Sequence, residues 1–198
     1  GGMAIAGNRY HFDLTLDLDR RLPFVPGFVY IYLICYLFWV VNYLLAAGNG
    51  KDYFYRYLTA DLTARVVCFL FFVFFPTTNV RPELAGDSLS ITLLRWLYQM
   101  DKPENLLPSI HCMNSWFCYI AVRGRKDIPC WYRIFSFVFA WLIALSTVLI
   151  RQHVVVDIAA GFLLAEVMWQ FYGKTKYYKN VRQFYEKING IIRQKLLK

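Results

Sequence analysis

Five apolar runs separated by short polar breaks organise the chain. The first covers residues 28–47, close to the roughly 20 residues that cross a hydrocarbon core of about 30 Å. Gly48-Asn49-Gly50-Lys51 then breaks it. The second reads 66–76 as apolar, too short to cross alone. Extending it back to Tyr57 makes it long enough but admits Asp61 and Arg65. Those charges belong at the interface or against other helices. Pro76 and Pro82 end that helix. The third run covers 106–122, the fourth 131–150 and the fifth 153–171, with only Arg151-Gln152 between the last two.

Between the second and third runs the pattern changes. Over 88–99, Leu89, Leu93, Trp96 and Leu97 recur at helical spacing, which predicts a short helix lying in the membrane surface. Residues 101–105 read as a turn. The predicted fold is all-α, a polytopic transmembrane helix bundle with five spans visible. It divides into a polar N-terminal segment (1–26), a transmembrane catalytic domain (27–173) and a basic amphipathic tail (174–198). That tail carries eight Lys or Arg and one Glu, with Val181, Phe184, Tyr185, Ile188, Ile191, Ile192 and Leu196 at helical intervals. An anionic lipid surface is its expected partner.

Orientation follows from the basic segments. The tail, the loop Arg123-Gly124-Arg125-Lys126 and the loop with Lys51, Arg56 and Arg65 all fall on one side, read as cytoplasmic. Arg81, His111 and His153 then share the outer side, near the outer leaflet of what is expected to be a bacterial plasma membrane. Residues 1–26 would also lie outside. A chain that starts outside without a signal is unusual, so an upstream span is expected before these residues.

Composition agrees. The chain is 58% hydrophobic, 19% aromatic and only 18% charged, against about 25% charged in a soluble domain. The net charge of +9 sits at span ends and in the tail, which suits a membrane edge and argues against nucleic acid as a partner. The five cysteines include no C-x-x-C pair, so no zinc or redox centre is signalled. The aromatic residues read as span packing and interfacial belts. Trp96 and Tyr98 fall near the expected mouth, where an acyl chain would enter.

The chemistry concentrates in few residues. His153 and Asp157 are four apart, which puts them on one helix face. A carboxylate there fixes the imidazole tautomer and favours the imidazolium, leaving the other nitrogen free to attack. The same pair also serves as a plain structural hydrogen bond. His111 follows Pro108-Ser109 at the mouth of the third run. By itself it reads as an interface histidine, Ser109 as a helix cap, and Arg81-Pro82 as an interfacial helix end. Together, two imidazoles, one carboxylate and one guanidinium are sufficient for phosphoryl transfer without a metal or cofactor. That reading requires the two rings to lie within about 10 Å, close enough to share one phosphorus atom.

Arg81-Pro82, Pro108-Ser109-Ile110-His111, Ser146-Thr147 and His153-x-x-x-Asp157 resemble, in order and spacing, the three motifs of the type 2 phosphatidic acid phosphatase superfamily. The resemblance implies six spanning helices with the site near the outer leaflet. It implies His153 as nucleophile through a phospho-histidine, Asp157 as the group that orients it, and His111 as general acid. It implies phosphate binding at Arg81 and Ser109, and a membrane lipid as substrate. Two family cations are missing: Phe74 holds the first-motif lysine position and Thr147 the third-motif arginine position. Arg151 substitutes for one only if the chain bends at 151–152, since it stands about 200° from His153 round a helix. The loss favours a less charged phosphodiester. It also brings the chain nearer the branch that makes inositol-phosphoceramide and sphingomyelin. Hydrolysis and transfer both remain open, the substrate being a phospholipid or an isoprenoid phosphate. Two alternatives stand beside this reading. One is a metal-dependent hydrolase using His111, His153 and Asp157; the other is a non-catalytic membrane protein with a degenerate site. Oligomeric state is not legible.

Overall fold

The computed structural model describes residues 10–196, with side chains through residue 191. The tail residues Ile192 and Leu196 and the first nine residues of the polar segment therefore lie outside the described side chains. In chain order the elements are β1 (Phe12–Asp13), α1 (Asp17–Arg21), a 3-10 turn (Pro26–Phe28), α2 (Val29–Ala47), α3 (Lys51–Phe74), β2 (Thr77–Thr78), α4 (Leu89–Met100), α5 (Ile110–Val122), α6 (Cys130–Leu149), α7 (Val155–Thr175) and α8 (Tyr178–Leu196). The chain is an all-α bundle, and among the described residues the one sheet is the two-residue parallel pairing of β1 with β2.

The breaks follow local chemistry. Pro26 opens the turn that leads into α2, and Gly48 follows its last residue. Gly50, at φ +82°, supplies the left-handed residue before α3. Ser88 caps α4 by accepting from Ile91 N at 3.4 Å. Pro129 precedes α6, and Lys176 at φ 58° closes α7.

Residues 26–47, α3, α6 and α7 are each long and apolar enough to cross a membrane. The third apolar run differs. Its helical part, α5, has 13 residues, about 20 Å at 1.5 Å per residue. Residues 106–109 stay extended because Pro108 and the capping Ser109 stop the helix there. A short helix suffices because α5 is central: it packs against α2, α3, α6 and α7. Cys112, Met113, Phe117, Cys118 and Ala121 on it are fully buried. Leu37, Leu44, Trp141 and Leu163 on the outer helices face outward, as lipid-facing positions do.

The two charges within the apolar stretch of α3, Asp61 and Arg65, are paired with each other and with neighbouring helices. Asp61 is 2% exposed and accepts from Arg65 Nε at 3.0 Å. Arg65 also donates to Asn114 Oδ1 on α5 at 2.9 Å and to Tyr43 OH on α2 at 3.2 Å. Pairing of this kind offsets the several kcal/mol that a lone buried charge costs.

The helices alternate in direction, so the bundle has two distinct ends. One gathers the starts of α2, α5 and α7 with the ends of α3 and α6. There Thr77 ties two loops together: its Oγ1 accepts from Leu106 N and Leu107 N, both at 2.9 Å. The other end carries the 123–127 loop and α8. The amphipathic α8 packs on α3 through Arg182–Asp52 at 2.7 Å and Lys51–Glu186 at 3.4 Å.

Candidate active site

The first end of the bundle holds the chemistry. After α6 the chain turns sharply. Thr147 O accepts from both Gln152 N (2.8 Å) and His153 N (3.1 Å), and Arg151 takes φ 55°. This is the bend that the 151–152 connection needed. It presents His153 just before α7. Its Nδ1 donates to Asp157 Oδ2 at 3.2 Å, and the same oxygen accepts from Val154 N at 3.0 Å. Asp157 is fully buried and His153 is 8% exposed. With Nδ1 engaged, Nε2 is the nitrogen left for a substrate.

His111 stands on the first turn of α5, and its ring centroid lies 5.9 Å from that of His153. Ser109 caps that turn, its Oγ accepting from Cys112 N at 3.3 Å. Ser109 N in turn donates to Asp157 O at 3.2 Å. The two histidine-bearing turns are thus bonded directly to each other. Gly161 makes this approach possible, because a Cβ there would lie 2.6 Å from Ser109 O and 3.1 Å from Met113 N.

His153 also lines an open cavity of about 330 Å³ together with Asn79, Arg81, Arg151, Asp13, Asp19 and Arg20 among others. Ser109 is fully buried and belongs to the cap rather than to this wall. His111 sits behind His153, half-buried, with a buried Nε2 that has no partner.

A model of the PAP2 superfamily matches residues 67–180. The chain belongs to the PAP2 superfamily. No curated protein and no solved structure matches it. Its four apolar helices of spanning length and its membership of a superfamily of phosphatases are consistent with a membrane phosphatase.

In this PAP2 protein the cations at the site end are held by their own neighbours. Arg81 donates to Asp101 O at 2.5 Å and to Gln152 Oε1, and stacks over Tyr98 with its guanidinium carbon 4.4 Å from the ring centroid. Burial lowers the Arg81 pKa, while Asp101 and Tyr98 oppose that shift. Burial raises the Asp101 carboxyl, against the pull of His153 and Arg81. Arg151 donates to Asp19 O at 2.5 Å and Leu22 O at 2.7 Å. Phe74 is 75% exposed. Thr147 is fully buried, with its hydroxyl donating to Ala144 O at 2.7 Å. Neither replaces a cation at the cavity. Among the described residues, no three His, Cys, Asp or Glu side chains are gathered as ligands for an ion.

Several neighbours of the site were not anticipated from sequence. Asp19 is 1% exposed. Its Oδ1 accepts from Val155 N at 2.8 Å and its Oδ2 from Leu16 N at 2.9 Å, so it caps α7 from 136 positions away. Residues 10–22 are therefore packed onto the site end, held also by Phe12 N to Pro76 O at 2.9 Å. Arg20, which it brings to the cavity, is exposed. On α2, Tyr32, Tyr36 and Trp39 surround His111, with ring centroids 4.5, 6.2 and 5.4 Å away. Their i, i+4, i+7 spacing was the only available signal, and it is equally the pattern of ordinary span packing.

Proposed function

We propose that this chain is an integral-membrane lipid phosphatase or phosphotransferase that works through a phospho-histidine on His153. The observation that carries the reading is the 5.9 Å separation of the His111 and His153 rings, with only His153 backed by a carboxylate. In the first step His153 Nε2 forms the N–P bond as the ester P–O bond breaks. The departing oxygen takes the proton of His111 Nε2. In the second step His111 removes a proton from water or an acceptor hydroxyl. That oxygen attacks phosphorus, and the N–P electron pair returns to His153. Arg81 and Arg151 neutralise the phosphate oxygens, while Ser109 sets the height of the His111 turn.

The substrate is a phospholipid or an isoprenoid phosphate. A singly charged phosphodiester suits the site better than a phosphomonoester. The family cations at positions 74 and 147 are lacking, and Asp13 and Asp19 line the cavity. The catalytic end faces the outer side and α8 the cytoplasmic side, where its exposed Phe184 and Ile191 and its basic residues meet anionic lipid.

The test is His153→Ala in detergent-solubilised protein. It is offered phosphatidate, an isoprenoid diphosphate, and a phospholipid donor with ceramide or diacylglycerol. The wild type should release phosphate or form a new lipid and carry an acid-labile phosphoryl label; the variant should do neither. Full residual turnover by the variant would remove the nucleophile assignment. Loss of turnover on exhaustive chelation would favour the metal-dependent alternative.

A further inference from the structure

The nucleophile and the second histidine are held by different kinds of partner, and the second partner lies outside the family-matched residues. His111 Nδ1 lies 3.4 Å from the hydroxyl of Tyr32 on α2, near the upper limit of hydrogen-bonding reach. Unliganded catalytic sites often hold their bonds at such lengths and tighten them with substrate. Tyr32 is fully buried, and its ring lies 4.5 Å from the imidazole, tilted by 33°. The adjoining helix turn is held as well: Trp39 Nε1 donates to Ser115 Oγ at 3.0 Å, and Ser115 Oγ donates to His111 O at 2.7 Å. Helix α2 therefore fixes both the ring and the backbone of residue 111.

We propose that Tyr32 is a positioning residue for the acid–base step, holding the neutral His111 in the tautomer that carries its proton on Nδ1 and leaves the Nε2 lone pair free. This rests on the reading of His111 as general acid and base given above. A group with that role alternates between charged and neutral forms within one turnover. A carboxylate partner would favour the charged form throughout. A phenol favours neither. Its oxygen accepts from Nδ1–H in both the charged and the neutral form, so only Nε2 gains and loses a proton. In both states Nε2 remains the nitrogen that exchanges protons with the leaving and attacking oxygens. The aromatic faces of Tyr32 and Trp39 beside the ring favour the transient imidazolium.

The test compares wild type, Tyr32→Phe, His111→Ala and a protein carrying 3-fluorotyrosine at position 32, which keeps the shape and alters only the hydroxyl. Two readouts are taken: 15N spectra of the His111 ring, and kcat and KM for a phosphate ester with an alkyl leaving group and one with a nitrophenyl leaving group. A nitrophenolate departs without a proton, so general-acid defects are masked with it. Tyr32→Phe should mix the His111 tautomers and lower kcat for the alkyl ester about five- to tenfold. KM should hold, and the nitrophenyl ester should be nearly unaffected. The fluorinated protein should shift the His111 nitrogens without unfolding. An unchanged tautomer in both altered proteins overturns the proposal, as does an equal loss on both esters. If His111→Ala is itself insensitive to the leaving group, the general-acid reading fails instead, and the spectra alone then decide whether Tyr32 sets the tautomer.

Discussion

His153 and His111 differ in what holds them, and the difference is chemical. One imidazole leans on a buried carboxylate, the other on a phenol. The Asp157 carboxylate holds the Nδ1 side of His153 and keeps Nε2 aimed outward, so replacing it with an amide of the same size should hurt chemistry more than folding. Asp157→Asn is expected to lower turnover by about 10²- to 10⁴-fold while circular dichroism and thermal unfolding stay near wild type. Steady-state assays beside a melting curve check both halves. The four-residue interval suggested the His153–Asp157 pairing, but His153 stands just before α7 rather than on it, and the bend at 151–152 brings its ring back to Asp157. Tyr32 was not legible in the sequence, because hydropathy cannot distinguish an aromatic side chain facing lipid from one facing an imidazole. Nor was Asp19, whose bond to Val155 N joins residues 136 positions apart. Only tertiary packing creates such a contact.

One of the close helix contacts is made by main chain. Helices α5 and α7 touch backbone to backbone where Gly161 faces Ser109 O. A methyl group there must push the two turns apart, because the atoms it meets belong to main chain and cannot rotate away. Gly161→Ala is expected to destabilise the bundle by about 1–3 kcal/mol, widen the His111–His153 distance and lower kcat. The control is Gly190→Ala on α8, where the added carbon meets nothing within 4 Å and helix propensity improves; it should leave activity unchanged. Unfolding midpoints and turnover of the two variants separate crowding from a general effect of removing glycine. The sequence located the apolar runs well. It overstated the third, since residues 106–109 are apolar enough to extend a span but contain the proline and serine that start the helix late. It understated residues 10–22, whose polarity reads as a detached segment although Asp19 is buried against α7.

Across the whole molecule, the two ends of the bundle differ in charge and in chemistry, which makes sidedness measurable. Cys130 is the one exposed thiol; Cys35, Cys68, Cys112 and Cys118 are buried. It begins α6 at the end that carries α8. In sealed right-side-out vesicles, a membrane-impermeant maleimide should label Cys130 only after permeabilisation. In a Cys130→Ser background, Gly86→Cys, in the loop before α4, should label from outside without permeabilisation. The reverse pattern would invert the orientation. Gly86 is a fair probe because it has open space around it, although its positive φ of 93° adds strain to a cysteine there.

The N-terminal stretch carries one more consequence. The matched region begins at residue 67, yet Asp19, the Arg151 acceptors Asp19 O and Leu22 O, and Tyr32 all come earlier in the chain. Ancestry and machinery therefore have different borders here. A chimera that kept every motif but exchanged its leader would inherit the signature without the scaffolding that braces it. Divergence among such enzymes can then accumulate upstream of anything a motif records.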